Sequence, residues 1–298
     1  MGEPLDLKQL RSFLHIAELS SLSKAAERLH LSQPALSRQI KMLEEEIGEP
    51  VFLRTGRGVE ITEAGRLLER RASAVMAELE RFNSDLAAQR GRIAGPLCLG
   101  LPPSSGLALA GPVIESYRSA YPDVRLRVTE LLSGTLQEHL LDGRADLGIL
   151  YEGANSPRLA TERLGTEELF MIARPDEIAQ YGSAISFDDL CKMPLILPGM
   201  PHSLRAITEQ MAARRDQQLN VVIEADSLPV LLELVQRGLG VSILSGPASR
   251  RDVSEGRLAA VSIVEPSIIR TTVLAWSRDF PLSPAAAAMA VQIKLAIS

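Results

Sequence analysis

Cysteine, long apolar runs and a surplus of positive charge are what this 298-residue chain most plainly lacks. Its two cysteines, Cys98 and Cys191, sit in apolar contexts without a CxxC spacing, and the four histidines are scattered. Those counts argue against a disulfide framework or a metal site, so both cysteines are expected to be buried free thiols. No run of about eighteen apolar residues could span a bilayer, and no basic-then-apolar leader opens the chain. A cytoplasmic protein without membrane association is expected. There is no Gly-x-Ser-x-Gly elbow, and the glycines of stretch 99–106 are too broken by proline to form a dinucleotide fingerprint. Neither catalysis nor a cofactor is therefore expected. The 32 Lys+Arg against 37 Asp+Glu leave a net charge of −5.

What is present is a globular composition, 46% hydrophobic and 23% charged, long enough for two or three domains. Residues 5–62 are dense in helical periodicity. Leu7, Leu10, Phe13, Leu14 and Ala17 form one apolar stripe. Ser23 is placed to cap a second helix whose Ala25, Ala26 and Leu29 face inward. Ser32 is placed to cap a third, with Pro34 tolerated in its first turn, where the missing amide would have no intrahelical partner. Leu36, Ile40, Leu43 and Ile47 give that helix a buried face, and Gly48 and Pro50 stop it. Strand-like runs 51–54 and 58–61 flank Thr55-Gly56-Arg57-Gly58, which predicts a hairpin. Three helices and a hairpin make residues 1–62 a winged helix-turn-helix domain. From Thr62, its expected cap, a long helix covers 63–92. Leu68, Ala72, Val75, Leu79, Phe82 and Leu86 alternate spacings of four and three, a heptad seam for a second helix. The alternative is one amphipathic helix lying on its own domain.

After the breaker cluster Gly91–Pro96 the texture changes. Strands are expected at 97–101, 124–130, 146–150, 169–173, 195–197, 221–224, 241–244 and 272–276. Helices are expected near 107–120, 134–142, 203–215 and 228–237, with a last one around Ala285–Ala288. Such alternation indicates α/β units with largely parallel sheets, in one sheet or two small lobes.

On the third helix, Gln33, Pro34, Ser37, Arg38 and Lys41 share the broad face beside the apolar stripe, which leaves them outward. Gln and Arg can bond bidentately to adenine and guanine edges, and Ser can reach bases or phosphates. Near a helix N-terminus this set suits the DNA major groove, with Ser23, Lys24 and Ser32 at the adjoining helix starts. An ordinary solvated face is the plainer reading. Arg54, Thr55 and Arg57 tip the balance by placing cationic and hydroxyl groups on the wing. Residues 1–92 nevertheless hold 14 Lys+Arg against 14 Asp+Glu. Because DNA affinity is driven largely by basic contacts to phosphate, local placement and a second copy must supply the positive surface.

Residues 5 to about 92 resemble the N-terminal region of the LysR-type transcriptional regulators. The resemblance is carried by Phe13, Ser21-Leu22-Ser23-Lys24-Ala25-Ala26-Glu27-Arg28-Leu29, Ser32-Gln33-Pro34-Ala35-Leu36-Ser37-Arg38-Gln39-Ile40, Leu43-Glu44, Phe52, Arg54 and Ile61-Thr62-Glu63-Ala64-Gly65. The wing text Arg54-Thr55-Gly56-Arg57-Gly58-Val59 is similar to the branch containing nitrogen-assimilation-control regulators. The resemblance implies that 93–298 is a periplasmic-binding-protein-like effector-binding domain of two α/β lobes. Lobe I would span 93–165 and 268–298, lobe II 166–267, with crossovers near Gly165 and Ile269. It further implies dimers of dimers on promoter DNA, a small inducer between the lobes, and contact with RNA polymerase if the protein activates. Ser104, Ser133 and His202 fall where the family usually contacts its effectors.

The residues themselves support such a cleft, since open α/β sheets bind ligands at the carboxyl ends of their strands. Pro102-Pro103-Ser104-Ser105-Gly106, Ser133-Gly134-Thr135 and the 198–205 stretch with His202, Ser203 and Arg205 each follow a strand and open a helix. Free amides and hydroxyls there suit a carboxylate or similar anion, although each could be simple capping. Tyr151 and Asp226-Ser227 are weaker candidates at other strand ends. A solute-binding transport protein and a regulator needing no small molecule remain as rivals.

Overall fold

The computed structural model describes residues 6–55, 58–153, 156–178 and 181–297. Contacts divide the chain into two compact units, Met1–Leu86 with Asp142–Arg144, and Ala87–Leu141 with Ala145–Ser298.

In the first unit, α1 (Leu7–Leu19) opens on a reciprocal capping box between Asp6 and Gln9. α2 (Leu22–Arg28) is capped by Ser21, whose Oγ accepts the Lys24 amide, and not by Ser23, which lies in the first turn. The cap falls earlier because Ser20, at φ 47°, ends α1 and leaves Ser21 as the extended residue. α3 (Gln33–Ile47) starts as expected at Ser32, carries Pro34 in its first turn and ends at left-handed Gly48. β1 (Phe52–Thr55) and β2 (Gly58–Ile61) form the antiparallel wing. Phe13, Ile16, Ala25, Leu36, Leu43 and Val51, all fully buried, make the core. The buried stripe of α1 thus includes Ile16, whereas Leu14 and Ala17 are half-buried and Leu7 is exposed.

α4 (Glu63–Gln89) begins where Thr62 Oγ1 accepts the Gly65 amide and donates to the Pro50 carbonyl. Its apolar seam is divided. Leu68 and Ala72 pack into the winged-helix core, Leu79 is half-buried, and Val75, Phe82 and Leu86 are exposed. The helix therefore lies on its own domain for its first turns only.

The second unit runs β3 (Gly95–Leu101), α5 (Pro103–Ala120), β4 (Val124–Glu130), α6 (Ser133–Leu141), β5 (Leu147–Tyr151), β6 (Leu159–Ala173), α7 (Pro175–Ile178), β7 (Ala184–Ser186), α8 (Phe187–Lys192), β8 (Leu195–Leu197), α9 (Ser203–Ala213), β9 (Val221–Glu224), α10 (Leu228–Gln236), β10 (Ser242–Ser245), α11 (Gly246–Ser254), β11 (Ala259–Val264), β12 (Ile268–Ser277) and α12 (Pro284–Ile297). The main sheet has the order β4-β3-β5-β12-β6-β11-β7, with β10 also on β6, while β8 and β9 pair separately. The expectation of largely parallel sheets is corrected. β3 pairs parallel with β4 and β5, as do β7 with β11 and β8 with β9, but β12 is antiparallel to β5 and β6, and β10 and β11 are antiparallel to β6, so the main sheet is mixed.

The reason lies in two long strands. β6 and β12, 15 and 10 residues long, run antiparallel side by side through both lobes. Only their most apolar stretches were legible as strands. Their register breaks between Thr272 and Val273, opposite Leu164 and Gly165. On one side lies a core of Leu97, Tyr117, Leu147, Leu274 and Met289, on the other one of Leu169, Phe187, Leu195, Ile243 and Ile263. α5 starts at Pro103, earlier than the expected 107, because proline at the first helical position is a start and not a breaker. Cys191 is buried as expected, but Cys98 is only half-buried; burial and Asp146 push its thiol up to about 11.

Candidate DNA-reading surface and effector cleft

In the first unit the apolar stripe of α3 faces the core, so Gln33, Pro34, Arg38 and Lys41 are exposed together and Ser37 is half-buried. Lys41 pairs loosely with Glu45 at 3.5 Å, both well exposed. Ser23 and Lys24 are exposed on α2. The Ser32 hydroxyl is engaged as a cap by the Ala35 amide at 3.3 Å. Thr55 is exposed on the wing and donates to the Gly58 carbonyl. Arg54 pairs through its backbone with Val59. Arg57 and the Arg54 side chain lie outside the described part of the structure.

Two positioning contacts went unread in the sequence. Buried Ser12 donates to Gln39 Oε1 at 2.6 Å, fixing α1 against α3. Glu44 Oε1 accepts the amides of Val51 and Phe52 at 2.9 and 3.3 Å, tying the root of the wing to the same helix. Their signal was the polar residue within an apolar stretch, Ser12 beside Phe13 and Glu44 beside Leu43.

In the second unit a cleft with about 540 Å³ of space, its mouth included, opens between the lobes. Of the expected residues, Ser104, Ser133, Tyr151 and His202 line it, as does Asp226. Ser105 stands behind them, buried, within 3.2 Å of the Tyr151 hydroxyl. Thr135, Ser203, Arg205 and Ser227 do not line it. Arg205 instead donates to Glu209 at 2.7 Å and Glu224 at 3.2 Å, which hold it along α9. The Ser203 hydroxyl is buried without a partner among the described residues.

The strongest charge in the cleft is one that sequence reading missed. Arg270, 7% exposed, donates from Nε and Nη2 to Glu167 Oε2 at 2.9 and 2.7 Å. Its Nη2 also reaches Ser104 Oγ at 3.1 Å and Ser245 Oγ at 3.4 Å, and the guanidinium lies 3.7 Å above the Tyr151 ring. Ser104 and the Tyr151 hydroxyl are 2.7 Å apart. A side chain on the strand that crosses both lobes thus bonds to Ser104, opening α5, and Ser245, preceding α11. The sequence hid it because β12 was expected to begin at Thr272, which left Arg270 outside the strand.

His202 Nδ1 accepts the Leu204 amide at 3.1 Å, so the neutral ring carries its proton on Nε2. Burial foremost, and then the Arg270 charge, lower its pKa against the opposing pull of Asp226. Five helices, α5, α6, α9, α10 and α11, start at residues lining or beside this cavity. Their unpaired amides and dipole ends favour negative charge there.

The two units match two domain families. The lysR-family bacterial regulatory helix-turn-helix protein matches over residues 7–66, and the LysR substrate binding domain over residues 90–295. The chain belongs to the LysR family. Among curated LysR-type relatives, BbuR of Bordetella bronchiseptica is 29% identical over 276 residues, 93% of this chain and 85% of that protein. The nitrogen assimilation regulatory protein Nac of Klebsiella aerogenes is 29% identical over 289 residues, 96% and 93% of the two chains. A full-length OxyR variant from Pseudomonas aeruginosa superposes with a TM-score of 0.77 at 26% identity, over 98% of this chain and 96% of that one. CbnR complexed with its target DNA gives a TM-score of 0.71 at 20% identity, over 98% and 100%, and shares the fold. This LysR-family protein is a DNA-binding transcriptional regulator with a C-terminal effector-binding domain, in a family of regulators and not of enzymes. No helix among its described residues is long and apolar enough to cross a membrane.

Proposed function

We propose that α3 enters the major groove of promoter DNA with Gln33 and Arg38 on base edges and Pro34, Ser37 and Lys41 beside them. Ser23, Lys24 and Ser32 hold phosphates, and Arg54, Thr55 and Arg57 track the backbone from the wing. The organisation is a DNA-binding domain over 1–62, a dimerising linker over 63–92 and an effector-binding domain over 93–298, in a cytoplasmic protein. Two copies pair through Val75, Leu79, Phe82 and Leu86; the exposure of Val75, Phe82 and Leu86 on α4 supports an apolar seam shared with a second helix. If the protein activates, RNA polymerase is a further partner.

The effector is a small molecule bearing a carboxylate, seated in the cleft against Arg270. One observation carries this reading: a guanidinium 7% exposed lines the cavity, and its Nη1 makes no hydrogen bond among the described residues. A buried donor of that strength left open to a cavity favours an anionic acceptor. A thermal-shift screen of the full-length protein against small organic acids tests it, since a binder of the native state raises the melting temperature by mass action. Hits that persist when Arg270 and Glu167 are replaced together by glutamine would contradict this placement.

A further inference from the structure

The cleft carries charge of both signs. Arg270 stands on β12. Asp226, exposed just before α10, lines the same cavity; its Oδ1 accepts the Gly199 amide at 2.9 Å, and its Oδ2 makes no hydrogen bond among the described residues. His202 also lines the cavity, close enough to feel both charges.

Charge balance narrows what can bind. Glu167, 2.7 Å from Arg270, already neutralises it, so the formal charge of Arg270, Glu167 and Asp226 together is negative. The five helix starts offset part of that charge. A ligand with only a carboxylate would add a further negative charge facing Asp226. A ligand that also carries a cation removes that repulsion and gives Oδ2 a charged donor. Beside the serines and Tyr151, one side of the wall is apolar. Leu204, Leu228, Leu231, Leu244 and Ala248 all come from the lobe that carries Asp226, and they offer no partner to a polar side chain.

We infer that the effector is an α-amino acid with an aliphatic side chain. Its carboxylate meets Arg270 Nη1 and Ser133 Oγ, its ammonium meets Asp226 Oδ2, and its side chain lies on Leu204, Leu231, Leu244 and Ala248. This inference rests on the cleft being the effector site, as proposed above.

Isothermal titration of the full-length protein with L-leucine, 4-methylpentanoate and 3-methylbutan-1-amine tests it, because the last two lack the ammonium and the carboxylate respectively. Leucine is expected to bind, and each analogue to bind about tenfold more weakly or worse. Asp226→Asn should weaken leucine by a similar factor and strengthen 4-methylpentanoate, which no longer faces a like charge. Arg270→Gln in a Glu167→Gln background should weaken both. Each variant is first melted without ligand; where Asp226→Asn unfolds, Asp226→Ser takes its place. Equal binding of leucine and 4-methylpentanoate, binding of leucine unaffected at Asp226, or no binding by any of the three compounds overturns the inference. A different organic acid that raises the melting temperature through Arg270 would leave the effector reading standing while this one falls. Leucine binding that ignores both Arg270 and Asp226 would remove the cleft itself as the site.

Discussion

At Gly58 the backbone holds φ 139°, and a Cβ there would lie 2.7 Å from the Ser20 carbonyl oxygen. That oxygen accepts the Val59 amide, so the wing is stitched to the α1–α2 junction by close backbone approach. Gly58→Ala is expected to destabilise the protein by about 1–3 kcal/mol through strain, read from urea denaturation. On the reading surface, Gln33→Ala or Arg38→Ala should cost about 1–3 kcal/mol of specific binding and relax sequence choice, measured against operator variants. His202 gives a pH signature. Its folded pKa lies below the ordinary 6.5, so in the window beneath 6.5 the unfolded chain binds more protons than the folded one. Its neutral form therefore contributes fully above 6.5, and stability falls as the pH drops through that window. His202→Gln should flatten the acid-side loss; identical slopes for both proteins between about pH 7.5 and 5.5 would contradict it. At this scale the sequence was legible where a residue's role is local. Ser32 as a cap, Pro34 in a first turn and Gly48 as a stop depend only on their neighbours. Arg270 and Ser245 could not be read, because they meet only through strands and helices distant in sequence.

α4 shows how one element can serve two environments. Its first turns complete the winged-helix core at Leu68 and Ala72, while Val75, Phe82 and Leu86 remain exposed. Substitutions along one seam should therefore separate. Ala72→Leu overpacks a site that is 2% exposed and should lower stability by about 1–3 kcal/mol. Leu79→Glu or Phe82→Glu should leave the melting of the monomer nearly unchanged but shift the sedimentation profile toward lighter species. The periodicity of the seam was legible, its division was not, since a spacing of four and three does not say which turns meet a core in their own chain. The same limit explains β6 and β12. Their alternation of polar and apolar residues where they cross between lobes lacks the continuous apolar run that marked 169–173, and so both strands were read as shorter than they are.

For the whole molecule, the net charge of −5 and the neutral first 92 residues mean that one DNA-reading unit alone should bind weakly. Affinity is expected to come from paired copies and from where the cations stand. The salt slope of binding should accordingly flatten in Arg54→Ala, by about one unit for each phosphate that the side chain no longer neutralises. The α/β character was legible from strand–helix alternation, the two lobes from the residues resembling LysR regulators, and the cleft from the polar helix starts that follow its strands. The antiparallel crossing strands that carry the charge between the lobes were not. Occupancy of this cleft should alter how the paired units hold promoter DNA. Footprinting the full-length protein on the DNA upstream of its own gene, at fixed physiological salt, tests that most directly, with and without the compound that most raises its melting temperature. Protection is expected over two half-sites about one helical turn or a multiple apart, with the protected pattern changing at saturating compound and not changing in the Arg270→Gln, Glu167→Gln protein. A pattern identical at all concentrations of a compound that binds the cleft, or no protected site at all, would contradict it.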